Sequence, residues 1–137
     1  MLARRTLLLA LVAALALAGC GPPKARTPGI YSLRATTKCL TKAGLKVVAN
    51  PPDLDFVTAT APNGAIRSTY DQKRFTIAFG NTRDDSVLLQ KGYKRSQTTA
   101  HGRKRLNSLL DLEGNAVVLW QTEPTAPEKD FVRACLQ

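Results

Sequence analysis

Residues 65–79 read Ala65-Ile-Arg-Ser-Thr-Tyr-Asp-Gln-Lys-Arg-Phe-Thr-Ile-Ala-Phe79, two alternating runs of side chains on either side of an Asp-Gln pair. Alternation with a period of two places every second side chain on one face of a β-strand. The segment therefore predicts a β-hairpin, with strands at Ala65–Tyr70 and Lys73–Phe79 and with Asp71-Gln72 as its turn.

A hairpin needs neighbouring strands to bury its apolar face, and four other segments have strand-like composition. These segments are Leu45–Ala49, Phe56–Thr60, Leu106–Leu112 and Ala116–Thr122. With the hairpin there are six candidate strands, and we expect an antiparallel sheet of about five strands. Their order across the sheet is not fixed by these patterns.

Three further segments show helical spacing together with signals for a helix start or end. They are Ala35–Ala43 before Gly44, Arg83–Lys91 between Thr82 and Gly92, and a C-terminal helix that follows the capping box Thr125-Ala-Pro-Glu128. The sequence thus predicts the α+β class. We expect a single small domain over residues 33–137, with about three helices on one face of the sheet.

The beginning of the chain has the features of an export signal. Arg4 and Arg5 precede the uncharged run Leu7–Leu17. This run is too short for a membrane-spanning helix, which needs roughly 20 apolar residues. A positive start followed by a short apolar run is typical of a secretory signal peptide.

The apolar run ends in Leu17-Ala18-Gly19-Cys20, which resembles the lipobox of bacterial lipoproteins. The resemblance covers only this leader and fits at every position. It implies that residues 1–19 are removed as a signal peptide and that Cys20 carries the lipid. An ordinary signal peptide with a coincidental cysteine and an uncleaved short anchor are the alternatives.

A lipid on Cys20 implies a protein that is exported and anchored to the outer face of the bacterial cell membrane, or to an outer membrane if the cell has one. Residue 21 is Gly rather than Asp, so by the same resemblance the usual inner-membrane retention signal is absent. The proline-rich residues 20–32 predict a tether. The chain from Cys20 onward has 118 residues, with 18 basic and 10 acidic side chains.

The two remaining cysteines lie in the predicted first and last helices. Cys39 and Cys135 fall on the apolar sides of these helices, which suits a bridge between two helices packed on one face of the sheet. Because an exported protein meets oxidising conditions, we predict a Cys39–Cys135 disulfide. Two buried free thiols and a metal pair are the alternatives, although His101 is the only further soft ligand and supplies a zinc site poorly.

No group of residues indicates catalysis, and no cofactor or metal is predicted. His101 lies in a polar segment with no carboxylate close in sequence, and Cys39 lacks an activating base. Asp53 and Asp55 lack the further oxygen ligands that calcium needs, so they indicate a solvated turn. Trp120 lies in a predicted strand and is expected to fill the core. No nucleophile-elbow, phosphate-binding glycine loop or metalloprotease motif occurs.

One segment combines many cations and contains no acid. Its six fixed positive charges fall within fifteen residues and are Lys91, Lys94, Arg95, Arg103, Lys104 and Arg105. Such a segment is typical of sites for anionic partners: lipid headgroups, wall polymers or lipopolysaccharide phosphates. Nucleic acid is the least favoured partner because export removes the protein from the genome. The alternative is a solvated, mobile loop whose charge serves solubility.

The sequence thus predicts a membrane-anchored extracytoplasmic lipoprotein with a non-catalytic binding or structural domain, and the layout resembles that of other small lipidated envelope proteins. The basic segment is the candidate contact with an anionic envelope component. One alternative is a small hydrolase or ligand carrier whose site is assembled from distant residues. The other is an accessory subunit of an envelope protein complex, whose protein partner is unknown and which requires an exposed apolar patch.

Overall fold

The computed structural model describes residues 29–137 as five helices and five strands. The helices are α1 (Leu33–Lys42), α2 (Phe56–Ala59), α3 (Arg83–Ser96), α4 (Ala100–Leu109) and α5 (Ala126–Cys135). The strands are β1 (Val47–Ala49), β2 (Ala65–Tyr70), β3 (Lys73–Phe79), β4 (Leu110–Glu113) and β5 (Ala116–Trp120). The predicted signal peptide and Cys20 lie outside the described residues. Within residues 29–137, every helix is too short or too polar to cross a bilayer.

The strands form one antiparallel sheet in the order β1-β2-β3-β5-β4. Its hairpin, β2 and β3, has the predicted bounds, with Tyr70 paired to Lys73. Asp71 and Gln72 have φ angles of 47° and 63°. A two-residue turn with positive φ at both positions matches the right-handed twist of the flanking strands. The predicted hairpin is therefore confirmed.

The α+β class is confirmed, but helices cover both faces of the sheet rather than one. Helices α1 and α5 pack on the face that contains Ile77 and Val118, and α3 and α4 pack on the face that contains Ala78 and Val117. The reason lies in β5, whose sequence Ala-Val-Val-Leu-Trp is apolar at successive positions. A strand with two apolar faces needs cover on both sides.

The segment Phe56–Thr60, predicted as a strand, is instead the short helix α2 followed by its C-cap. Asp55 accepts a hydrogen bond from the Thr58 backbone N–H at 2.9 Å and so caps the helix. An acidic N-cap satisfies a donor that the first helical turn leaves unpaired. The alternation of apolar and polar residues in this segment is too short to distinguish a strand from one helical turn.

Two predicted boundaries of helices and strands differ from the structure by more than two residues. Helix α3 continues through Gly92 to Ser96. A Cβ atom at Gly92 would lie 3.1 Å from Val57 Cγ1, so this glycine permits close packing of α2 rather than ending α3. The predicted strand at 106–112 begins only at Leu110, because Leu106 and Leu109 belong to α4, which runs directly into β4.

The predicted disulfide is present between Cys39 in α1 and Cys135 in α5, with a Cα–Cα distance of 5.4 Å. It joins the two helices that share one face of the sheet. The chain end adds a second connection, because the Ser32 backbone N–H donates to the Gln137 carbonyl oxygen at 2.6 Å. The first and last helices are therefore tied together both covalently and by hydrogen bonding.

The last helix begins as the capping box predicts. Glu128 is buried, accepts a hydrogen bond from the Thr125 backbone N–H at 2.6 Å, and forms an ion pair with Lys73 at 2.8 Å. Two hydrogen bonds hold the pKa of Glu128 below its usual value of 4.5. The larger effect comes from Lys73 and the smaller one from the Thr125 backbone N–H. One carboxylate thus fixes the start of α5 to the beginning of β3.

Residues 29–31, which the sequence assigned to the tether, are bound to the sheet. The Asn115 backbone N–H donates to the Gly29 carbonyl oxygen at 2.9 Å. The Asn115 side chain accepts from the Tyr31 N–H at 2.7 Å and donates to the Tyr31 carbonyl oxygen at 3.0 Å. The chain therefore enters the domain beside the turn between β4 and β5.

Candidate functional site

The basic segment is helical rather than a loop. Lys91, Lys94 and Arg95 lie on the second half of α3, and the other three cations lie on α4. The two helices share one apolar cluster on the sheet, which contains Tyr93 of α3 and Leu106 of α4. The cations therefore lie on two helices that are packed against the sheet, and the fold sets the distances between them.

Four of the six cations surround one open surface groove of about 360 Å³. This basic groove is lined by Lys91, Lys94, Arg95, Gln97 and Arg103. Arg105 instead lines a neighbouring depression of about 280 Å³ together with His101, and Lys104 is exposed on α4 without lining either. The structure thus divides the predicted set into four cations that converge and two that do not.

Arg103 is held in place by the connection between α3 and α4. Its guanidinium donates to the carbonyl oxygens of Gln97 and Thr98, at 3.2 and 3.3 Å. Thr99 caps α4 by accepting from the Gly102 N–H at 3.0 Å. Both hydrogen bonds to these carbonyl oxygens use the same terminal nitrogen of Arg103. The other N–H groups of the guanidinium are free to bind an anion.

The cations of the basic segment lack carboxylate partners, unlike four other cations of the described domain. Four other cations form ion pairs at 2.7 or 2.8 Å: Arg67 with Asp53, Lys73 with Glu128, Lys129 with Asp111 and Arg133 with Glu113. Among residues 29–137, none of the six cations of the basic segment pairs with a carboxylate in this way. Their charge is therefore uncompensated by the protein and available to an external anion.

The charges of α4 also oppose the dipole of their own helix. The first turn of α4 contains no acidic residue, and Arg103, Lys104 and Arg105 follow within its first six positions. Helix α3 shows the favourable order, with Asp84 and Asp85 in its first turn and cations in its last. Since cations near a helix N-terminus are unfavourable, this placement does not serve the stability of α4.

A second groove, of about 310 Å³, lies between α2 and α3 and is mainly apolar. This apolar groove is lined by Phe56, Val57, Thr60, Pro62, Asp85, Leu88, Leu89 and Gly92. Phe56 is 85% exposed and Leu88 is 64% exposed. The sequence did not predict this surface, because Phe56 was expected to lie in a strand. The signal that could have revealed it is Asp55, an N-cap residue three positions before Thr58.

Buried hydrogen bonds hold α2 against α3. The Thr58 hydroxyl is 1% exposed and lies between the Asp55 carboxylate and the Tyr93 hydroxyl, with a short contact to each. Burial raises the pKa of the Tyr93 phenol well above its ordinary value, so the phenol stays protonated and can act as a donor. This chain of contacts fixes the position of Phe56 relative to the second half of α3.

The residues considered for catalysis are not assembled into a site. His101 is exposed on α4, Cys39 is bound to Cys135, and Asp53 pairs with Arg67 at 2.7 Å. Trp120 is buried in the core, as predicted. Over residues 29–137, no three side chains among histidine, cysteine, aspartate and glutamate are grouped so that they could hold a metal ion.

Comparison with known proteins gives no family match: no family model, no curated protein and no solved structure matches this chain. The two grooves on α3 are thus the features from which a function can be inferred. One groove is basic and the other apolar, and neither collects the nucleophile, base and oxyanion donors that hydrolysis requires.

Proposed function

We propose that the protein is a lipid-anchored, extracytoplasmic lipoprotein whose domain is a non-catalytic binding module. The basic groove between α3 and α4 docks an anionic component of the envelope, recognised through its phosphate groups. The lipid on Cys20 holds the domain at the membrane, and the groove supplies the specific contact.

The observation that carries this proposal is the convergence of Lys91, Lys94, Arg95 and Arg103 on one concave surface. Cations that only keep a protein soluble have no reason to converge on one groove. The orientation of Arg103 by two carbonyl oxygens gives the groove a fixed guanidinium, which suits a phosphate oxygen pair.

The lipid anchor is supported by the leader sequence and gives a direct prediction. We expect the protein extracted from membranes to have the mass of residues 20–137 plus a diacylglyceryl group. Two acyl chains are the expected attachment because one chain holds a protein at a membrane only marginally. Intact mass spectrometry checks this, with alkylation before and after reduction to report Cys39 and Cys135.

The matched control for the anchor is Cys20→Ser, which we expect to keep the leader and to acquire no lipid mass. A wild-type mass that includes residues 1–19, or that contains no lipid, would contradict the anchor. Binding at the basic groove is measured separately and does not depend on this result.

The groove itself is tested by a variant with Lys91→Gln, Lys94→Gln and Arg95→Gln, called the groove variant. Each basic residue at an anionic surface contributes about 1 kcal/mol, so we expect the affinity for inorganic polyphosphate to fall by about 100-fold. We also expect the dependence of the affinity on salt to weaken, because fewer counterions are released. Fluorescence anisotropy of labelled polyphosphate, with the protein in a neutral detergent, measures both quantities.

The control for total charge is Arg34→Gln, Lys38→Gln and Lys42→Gln, three exposed cations of α1. This α1 variant loses the same charge from a helix on the other face of the sheet. We expect its affinity to fall by less than about threefold, through screened long-range attraction only. If the affinity for polyphosphate fell equally in the groove variant and the α1 variant, net charge and not the groove would determine binding.

An accessory subunit of an envelope protein complex is the second candidate function. The exposed Phe56 and Leu88 of the apolar groove favour it, since exposed apolar patches are typical of protein contacts. A small hydrolase has no comparable support. The carboxylate in this groove, Asp85, is already engaged in capping α3 by accepting from the N–H groups of Asn81 and Thr82.

A further inference from the structure

Helix α3 lines both the apolar groove and the basic groove. One face of this helix carries apolar as well as basic side chains. Leu88, Lys91 and Arg95 are spaced three and four residues apart, so they lie on the same face. At a rise of about 1.5 Å per residue, Arg95 follows Leu88 by about 10 Å along the axis. An exposed apolar side chain is thus followed by two exposed cations on a continuous surface.

Helix α2 places a second exposed apolar side chain, that of Phe56, beside α3. Val57 contacts Gly92, and Thr58 contacts Tyr93, so α2 lies beside the second half of α3. Phe56 projects next to this contact and is 85% exposed. Phe56 and Leu88 therefore form a pair of protruding apolar groups adjacent to the cations of the basic groove.

We infer that this surface docks on the anionic face of a lipid bilayer, with Phe56 and Leu88 entering the interfacial region and Lys91 and Arg95 binding lipid phosphates. The inference rests on the proposed function and names the anionic component as membrane lipid. Apolar side chains beside cations are the combination that interfacial membrane binding requires. A soluble anionic polymer would use the cations and leave the two apolar groups in water.

The distribution of charge along α3 sets the orientation of docking. Asp84 and Asp85 occupy the first turn, and Lys91, Lys94 and Arg95 occupy the second half. An anionic surface repels the former and attracts the latter. The domain therefore approaches the bilayer with α3 tilted, so that Leu88 and the C-terminal half, which packs against α2, lie nearer the lipid than the first turn.

The place where the chain enters the domain is compatible with this orientation. Gly29 is bound to Asn115 at 2.9 Å, and the neighbouring Gly114 carbonyl oxygen accepts from Ser86 Oγ of α3 at 2.8 Å. The nine steps along the chain from Cys20 to Gly29 can cover up to about 30 Å in extended form, which leaves room for α3 to contact the lipid surface.

The test places a tryptophan at the proposed contact in the lipidated protein, purified from membranes and reconstituted into vesicles. The variants are Phe56→Trp and, as a matched control, Val48→Trp on the edge strand β1, where Val48 is 42% exposed. The vesicles contain phosphatidylcholine alone or with about 30% phosphatidylglycerol, which gives a clearly anionic surface. Brominated acyl chains serve as the quencher, and Trp120 is a constant buried background.

We expect brominated lipid to quench the Phe56→Trp emission at least about twofold in anionic vesicles and far less in neutral vesicles or at high salt. The Val48→Trp emission should not change. Adding the groove substitutions to Phe56→Trp should remove the quenching. Equal quenching of both tryptophan variants, or equal quenching in neutral and anionic vesicles, would overturn the inference.

Polyphosphate binding by the same preparations separates the two proposals. If Phe56→Trp is not quenched while polyphosphate binding still depends on the groove, docking on lipid is overturned and the proposed function stands. The apolar groove is then left to a protein partner. If neither quenching nor polyphosphate binding occurs, both proposals are overturned.

Discussion

Replacing Cys39 and Cys135 by alanine is expected to lower the free energy of unfolding by about 4 kcal/mol. The bridge closes a loop across a sequence separation of 96 residues, and in the chain-entropy treatment a loop near this length restricts the unfolded chain by about 4–5 kcal/mol. For a domain of this size the melting temperature should fall by roughly 15–25 °C. Urea unfolding of wild type and variant prepared in the same way, monitored by circular dichroism, measures the change directly.

Alanine is preferred to serine because Cys135 is buried, and a hydroxyl group there would add an unpaired donor. Wild-type protein unfolded in the presence of reductant is the control, and it should agree with the double variant. The hydrogen bond from the Ser32 N–H to Gln137 should preserve the native contact of α1 with the chain end. A loss of less than about 1 kcal/mol would contradict the entropic role given to the bridge.

The sequence was most informative where a local pattern has only one structural solution. The hairpin Ala65–Phe79 combines strict alternation with a two-residue turn, and its bounds in the structure are those predicted. The capping box at Thr125–Glu128 identified the start of α5. With α1 and α5 located, the position of Cys39 and Cys135 on their apolar sides was enough to predict the bridge.

Prediction was wrong where tertiary contacts override local preference. The segment Phe56–Thr60 has the composition of a strand, but the cap at Asp55 and the burial of Thr58 against Tyr93 favour one helical turn. Gly92 has the form of a helix stop, yet its missing side chain makes room for Val57. Tyr93 and Val57 each lie 35 residues from the residue they affect, so the Asp55 cap was the local sign available.

The arrangement of the helices around the sheet required knowledge of the strand order. Strand β5 lies between β3 and β4, at the inside of the sheet, where both of its faces need cover. The prediction of helices on one face was made without the strand order, which the sequence patterns leave open. Its five successive apolar residues, Ala116–Trp120, were the available sign of burial on two sides.

For the candidate site, the sequence identified the cations but not their geometry. All six residues of the basic segment were found from charge alone, whereas the division into four that line a groove and two that do not depends on the angle between α3 and α4. The apolar groove was missed, since it needs α2 to be helical. Both surfaces are therefore products of packing between elements, which charge and periodicity do not determine.

The second large effect is expected at Asn115, which is fully buried and joins the chain entry to the sheet. Its side chain makes three hydrogen bonds, two with Tyr31 and one with the Gly80 carbonyl oxygen at 2.6 Å. Asn115→Ala removes the side-chain partner of the Tyr31 N–H and carbonyl groups, whereas the Gly80 carbonyl oxygen keeps a hydrogen bond from Asn63 Nδ2 at 3.1 Å. A buried unpaired group costs about 1–3 kcal/mol. We expect a loss of about 3 kcal/mol in unfolding free energy, measured by urea denaturation. Hydrogen exchange at the Tyr31 amide should rise more than exchange in β3.

The isosteric variant Asn115→Asp separates lost hydrogen bonds from lost volume. An aspartate can still accept from the Tyr31 N–H, but it has no N–H group for the two carbonyl oxygens, and burial raises its pKa in the folded state. The aspartate at position 115 then holds its proton more tightly in the folded variant than in the unfolded chain. The loss of unfolding free energy relative to wild type should therefore be largest near pH 7. The deficit should shrink as the pH falls toward about 4, the ordinary pKa of aspartate. A variant as stable as wild type at pH 7 would show that the Asn115 donors do not hold residues 29–31 on the sheet.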